Sequence, residues 1–194
     1  MAPMRLPLIQ AVATAVILAG FAGCSAIKPA EILDERSGMT VGALQAPIEL
    51  VENMPNAALA GGKRTSFAYL GPVEWDASGE LTYALWIHVA PGNDTPVGDI
   101  RARDAVTLDL DDGPVKLAAM ETPKIGVGPY RAVASWGQTA YYPVTVDILK
   151  RMAASRKLNL GFHTVDRASV DFQPSHATSS TLTQFLHARG ITVD

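Results

Sequence analysis

Two neighbouring segments, 67–75 and 81–89, restrict this chain to a β-based fold more tightly than any other stretch. In "FAYLGPVEW" the odd positions are Phe67, Tyr69, Gly71, Val73 and Trp75, and in "LTYALWIHV" they are Leu81, Tyr83, Leu85, Ile87 and Val89. Side chains of a strand alternate between faces, so each segment has one strongly apolar side. The intervening "DASGE" suits a five-residue hairpin loop. That loop pairs Trp75 with Leu81, Val73 with Tyr83, Gly71 with Leu85 and Tyr69 with Ile87. The odd residues of both strands then share one face, and Trp86 and His88 lie on the other. A slip of one residue would reverse the faces of one strand. Pro72 has no N–H for a ladder, which predicts an edge or a bulge at that point.

Further strands follow. "PIELV" (47–51) reads as a short strand, and "NMPNAALAGGK" after it carries the loop signals Pro55, Gly61 and Gly62. "AVTLDL" alternates, Asp112-Gly113 suits a two-residue turn, and Val115 and Leu117 return on the same apolar face. Residues 130–142 have room for one or two strands. "LNLGFHTV" and "ASVDFQ" form another hairpin, joined at Asp166-Arg167.

The period then changes in two places. "PVTVDILKRMAASRK" puts Val144, Ile148, Leu149 and Met152 on one helical stripe, with Thr145 as N-cap. "TSSTLTQFLHARG" does the same with Leu182, Phe185 and Leu186, capped by Ser179 and stopped at Gly190. The fold class expected is α+β: mainly antiparallel β-hairpins forming a sheet or sandwich, with two helices near the C-terminus.

The amino terminus reads differently. "MAPMRLP" carries Arg5 and no acid, an apolar run extends from Leu8 to Phe21, and small residues precede Cys24, the only cysteine. This is the pattern of an export signal. "FAGC" resembles the lipobox of bacterial lipoproteins, in which a diacylglycerol is attached to the cysteine and the chain is cut just before it. The resemblance covers residues 1–24 and implies a signal peptide at 1–23 with a lipid anchor on Cys24. Ser25, where Asp would signal inner-membrane retention, implies an outer-membrane address. A catalytic thiol would need a neighbouring His to lower its pKa, and the first His is His88. The expected organisation is a lipid-anchored tether over 24–46 and one α+β domain over 47–194. Removing residues 1–23 leaves 15 Lys and Arg against 19 Asp and Glu. With no basic run, nucleic acid is not an expected partner.

Few residues mark a chemistry. Trp86 and His88 are a candidate ligand face, and His163 with Asp171 on adjacent strands a candidate polar site. A catalytic pair would also need a nucleophile or bound water, and none is marked. "DLDDG" (109–113) brings its Gly one place early for an EF-hand and has no matching Glu. "GVGPYR" (126–131) opens no helix, as a dinucleotide loop would. No catalytic residue, cofactor or metal is therefore expected. The favoured expectation is an outer-membrane lipoprotein facing the periplasm that binds an envelope protein without catalysis. The alternatives are a lipid-anchored hydrolase or a small-ligand binder, with a pocket near Trp86 and His88 or near His163.

Overall fold

The computed structural model describes residues 27–53, 66–92, 97–122, 128–163, 169–176 and 178–193. Cys24, the loop signals at Pro55, Gly61 and Gly62, and the Asp166-Arg167 turn lie outside these residues. The strands are β1 (Pro29–Asp34), β2 (Met39–Leu44), β3 (Ile48–Glu52), β4 (Phe67–Ala77), β5 (Glu80–Ala90), β6 (Val106–Leu110), β7 (Gly113–Leu117), β8 (Gln138–Pro143), β9 (Leu158–His163) and β10 (Ser169–Pro174). The helices are α1 (Val146–Ala154) and α2 (Ser179–Ala188). All ten strands join one sheet in the order β1-β2-β4-β3-β10-β9-β6-β7, with β5 added on β4 and β8 on β5. Every ladder is antiparallel. The fold is thus α+β and mostly β, as the patterning predicts.

β4 organises the sheet. One of its edges carries β5 along its whole length, and the other is shared: β2 pairs with residues 73–76 and β3 with residues 67–70. Beyond β3 the sheet continues through β10, β9, β6 and β7. After β7 the chain returns to β8 by one isolated bridge, where Met120 N–H donates to the Tyr141 carbonyl at 2.8 Å. The bridge ties the segment after β7 to β8, while β1 ends the sheet on the other side. Cross-strand partners share a face, which places Leu70, Ile87, Ile48, Phe172, Leu160 and Leu108 on one continuous apolar surface. Each is no more than 3% exposed.

Residues 29–44 correct the expected tether. They form the β1–β2 hairpin, and β2 joins β4, so Val41 and Ala43 belong to the core. This hairpin is fastened from the far end of the chain. The Arg189 guanidinium, 5% exposed, lies 2.6 Å from Glu31 and 3.4 Å from Glu74, and donates to the Ala30 carbonyl at 3.2 Å. Long polar residues hid this segment from a hydropathy reading.

The central hairpin corrects the expected register. Ala77 pairs with Glu80 across a two-residue turn, Ser78-Gly79, with φ of 57° and 93°. Trp75 therefore faces Thr82, and Gly71 faces Trp86. This differs by one residue from the five-residue loop, so the odd residues of β4 share a face with the even residues of β5. Both faces of the hairpin then carry large apolar groups, and both are covered. The β6–β7 turn also differs, with Asp111 and Asp112 at its tip and Leu108 opposite Val115. That displacement is two residues, so the faces are unchanged.

The helices follow the predicted stripes. Thr145 caps α1 by accepting from Ile148 N–H at 3.3 Å, and Leu149 and Met152 are buried. In α2 Leu182, Phe185 and Leu186 are buried, and Gly190 follows at φ 70°. The cap of α2 is Thr178 rather than Ser179, and its side chain accepts no capping hydrogen bond. The two helices pack on each other beside β1.

Pro72 lies in an interior strand, at the point where a donor is not needed. The β2–β4 register continues to Leu44 opposite Pro72, and there β2 leaves β4. The Tyr130 hydroxyl stands in the gap, accepting from Leu44 N–H at 2.9 Å and donating to the Pro72 carbonyl at 2.9 Å. Tyr130→Phe leaves both backbone groups buried and unpaired, at a cost of about 1–3 kcal/mol. Urea denaturation of the two proteins measures it, and equal midpoints would show that the ladder closes without the hydroxyl.

Candidate functional site

The proposed ligand face at Trp86 and His88 is an interior. Trp86 is 2% exposed and His88 0%. The one-residue register difference sets both beside Gly71, and the segment 128–137 lies across them. Gly71 leaves room for the Tyr130 ring, since a Cβ there would stand 2.2 Å from it. The Tyr130 ring lies 5.2 Å from Trp86, and Trp86 stacks on His88 at 5.7 Å. His88 in turn holds the covering segment. Ala134 N–H donates to Nε2 at 3.3 Å, so the network assigns the ring hydrogen to Nδ1, which donates to Thr139 Oγ1 at 2.8 Å. A Cβ at Gly137 would stand 2.4 Å from the ring. Trp86 and His88 thus secure a loop and offer no open pocket.

His163 and Asp171 are brought together as expected. Asp171 pairs with Gly161 and His163 with Ser169, so both side chains project from one face of β9 and β10. They line a cavity of about 320 Å³ with Thr107, Asp109, Gly161 and Ser169. The dent exists because Gly161 has no side chain; a Cβ there would lie 3.0 Å from Asp171 Oδ1. The hydrogen bonds of the described residues include none between His163 and Asp171. A hydroxyl, an imidazole and a carboxylate share the surface without the linked geometry of an activated nucleophile. As it stands, the arrangement suits binding of a small polar group.

A second concavity, of about 640 Å³, lies where α1 ends, β9 begins, β10 ends and α2 begins. Arg156, Lys157, Asn159, Gln173, His176 and Ser179 line it. The Arg156-Lys157 segment of its lining is tied to the β6–β7 turn. The Asp111 carboxylate accepts from Arg156 N–H at 2.7 Å and Lys157 N–H at 3.1 Å, and Asp112 forms a bidentate pair with Arg151 at 2.6 and 2.9 Å. The Arg151 guanidinium holds the Asp112 carboxyl below its ordinary value. Polar side chains dominate the lining, with the Lys157 ammonium paired to Asp109, which suits a polar group over an apolar one. Sequence reading missed it because its residues come from segments that no local pattern connects. Among the described residues no three His, Cys, Asp or Glu side chains are placed to hold a metal ion.

Burial keeps the His88 pKa below the ordinary 6.5, partly opposed by a backbone hydrogen bond at Gln138. The unfolded chain then binds a proton that the folded one does not, so stability falls as pH drops through about 6.5 toward the lower folded value. His88→Gln removes this titration. Its stability, followed by urea denaturation from about pH 7 to pH 5, falls less steeply than wild type; equal slopes would show that His88 binds protons equally in the folded and unfolded states.

Compared with known proteins, this chain matches no family model, no curated protein and no solved structure.

Proposed function

We propose that this chain is an outer-membrane lipoprotein, anchored through acyl chains on Cys24 and facing the periplasm, that binds another envelope protein without catalysing a reaction. The observation that carries the binding role is the outer edge of β1. β1 is the last strand on its side of the sheet. Gln45 N–H donates to the Lys28 carbonyl at 2.7 Å, which makes Lys28 and Gln45 a hydrogen-bonded pair. By alternation, Ala30 and Ile32 point their backbone groups at β2, and Glu31 and Leu33 point theirs outward. Such an edge is a template for an added partner strand, and proteins usually protect an edge they do not use. Leu33, 62% exposed, supplies an apolar contact beside it. Two acyl chains are enough for stable attachment, and no helix among the described residues is long and apolar enough to cross a membrane.

A second reading, a binder of small polar ligands, is favoured by the 640 Å³ concavity and the His163–Asp171 dent. Native mass spectrometry for a retained ligand tests it.

The adaptor reading has a paired test. Wild type fractionates with membranes at the mass of an acylated chain beginning at Cys24, and Cys24→Ala does not. Cross-linking in intact cells then captures a stoichiometric partner with wild type. Leu33→Pro removes one outward N–H without touching the β2 ladder and lowers that yield severalfold. Unchanged yield with Leu33→Pro would rule out strand addition at β1, and an unmodified, soluble wild type would rule out the anchor.

A further inference from the structure

Among the large apolar residues exposed on the described surface, Trp136 is the most open, at 72%, and Val133, at 59%, stands in the same loop. These are not loosely held side chains. Ala134 between them is buried and tied to His88, Gly137 N–H closes a turn on the Ala134 carbonyl at 3.1 Å, and Gly137 abuts the imidazole. The turn therefore displays an indole in water while its base is fixed in the core. An indole left bare forgoes the free energy of burying its apolar surface, and Trp is enriched where one side of a ring is apolar and the other wet. Arg131, exposed in the same loop, has no carboxylate partner among the described residues.

The chain path says what meets this turn. β1 runs in the same direction as β4, because each is antiparallel to β2. Pro29 is level with Pro72, so the chain before it heads toward the end of the sheet where β4 begins at Phe67. Val89 faces Gln138, so the turn ending at Gly137 sits at that same end. Only residues 25–28 separate Cys24 from β1. At about 3.6 Å per residue, a span from position 24 to Pro29 can reach no more than roughly 18 Å. β1 and β8 are four strand spacings apart through β2, β4 and β5, or about 20 Å.

We propose that the loop 131–137 is a second membrane contact: Val133 and Trp136 enter the interfacial layer of the bilayer that holds the lipid on Cys24, with Arg131 at the headgroup phosphates. This rests on the lipid-anchor reading. A leash this short keeps that end of the sheet near the lipid surface, where an exposed indole finds the environment its ring prefers. The lipid fixes position, and the loop fixes orientation, so that the β1 edge keeps one attitude to the membrane.

The test uses the full-length lipoprotein reconstituted in vesicles of phosphatidylethanolamine and phosphatidylglycerol, half of them with brominated acyl chains. The chain has three Trp, and Trp75 and Trp86 are 5% and 2% exposed, so Trp136 reports the surface. The expected result is a blue-shifted emission and loss of intensity in brominated vesicles, both absent in Trp136→Ser, with circular dichroism confirming its fold. Intact mass separates the two ways to fail. An acylated protein whose Trp136 stays open to iodide and untouched by bromine overturns the membrane contact and leaves the anchor standing. An unacylated protein overturns both. Shielding that appears only when envelope proteins are added assigns the turn to a protein partner and overturns the lipid contact.

Discussion

The Tyr130 hydroxyl stands where β2 parts from β4, and the arrangement of the sheet on both sides depends on that contact. By bridging Leu44 N–H and the Pro72 carbonyl it lets β4 exchange one neighbour for another without leaving a buried backbone group unpaired. The hydroxyl pKa is raised strongly by burial, so it remains a neutral donor and acceptor across the range in which the protein folds. The ring it belongs to fills the space over Gly71 and leans on Trp86, which stacks on His88, which holds Ala134. One residue in a loop thus connects the branching of the sheet, the cover on its second face and the display of Trp136. The cover exists because β4 and β5 are apolar on both sides, and a two-sided strand pair needs two layers over it.

How much of this was legible depends on what a local pattern can carry. Alternation identified β4, β5, β6, β7, β9 and β10, and helical period identified α1 and α2, because burial of one face leaves a trace at every second or fourth residue. Register is a separate quantity. At Asp111-Asp112 the difference between expected and observed pairing is two residues, which preserves faces, so the apolar surface came out unchanged. At Ser78-Gly79 it is one residue, and Trp86 and His88 moved from an expected open face to an interior. The decisive contact was the Tyr130 ring above Gly71, which joins positions far apart in the chain and leaves no local signature. β1 was obscured for a similar reason: its polar residues are satisfied by Arg189, which lies near the opposite end of the chain.

The site residues divide in the same way. His163 and Asp171 share a hairpin, so their proximity followed from alternation alone. The larger concavity, lined by Arg156 and Lys157 after one helix and Ser179 at the start of the next, depends on how α1 and α2 pack, and sequence period carries no information about that. Hairpins are local objects and helix pairs are not, which is why the smaller candidate was visible and the larger one was hidden.

The single bridge between Met120 and Tyr141 has a further consequence. Elsewhere neighbouring strands are held by several paired residues, and the segment after β7 is tied to β8 at one residue pair. That segment is therefore held chiefly by the packing of Leu117 and Ala119 on the core, with little contribution from the bridge itself. It can part from β8 under load while the ladders around β4 stay intact.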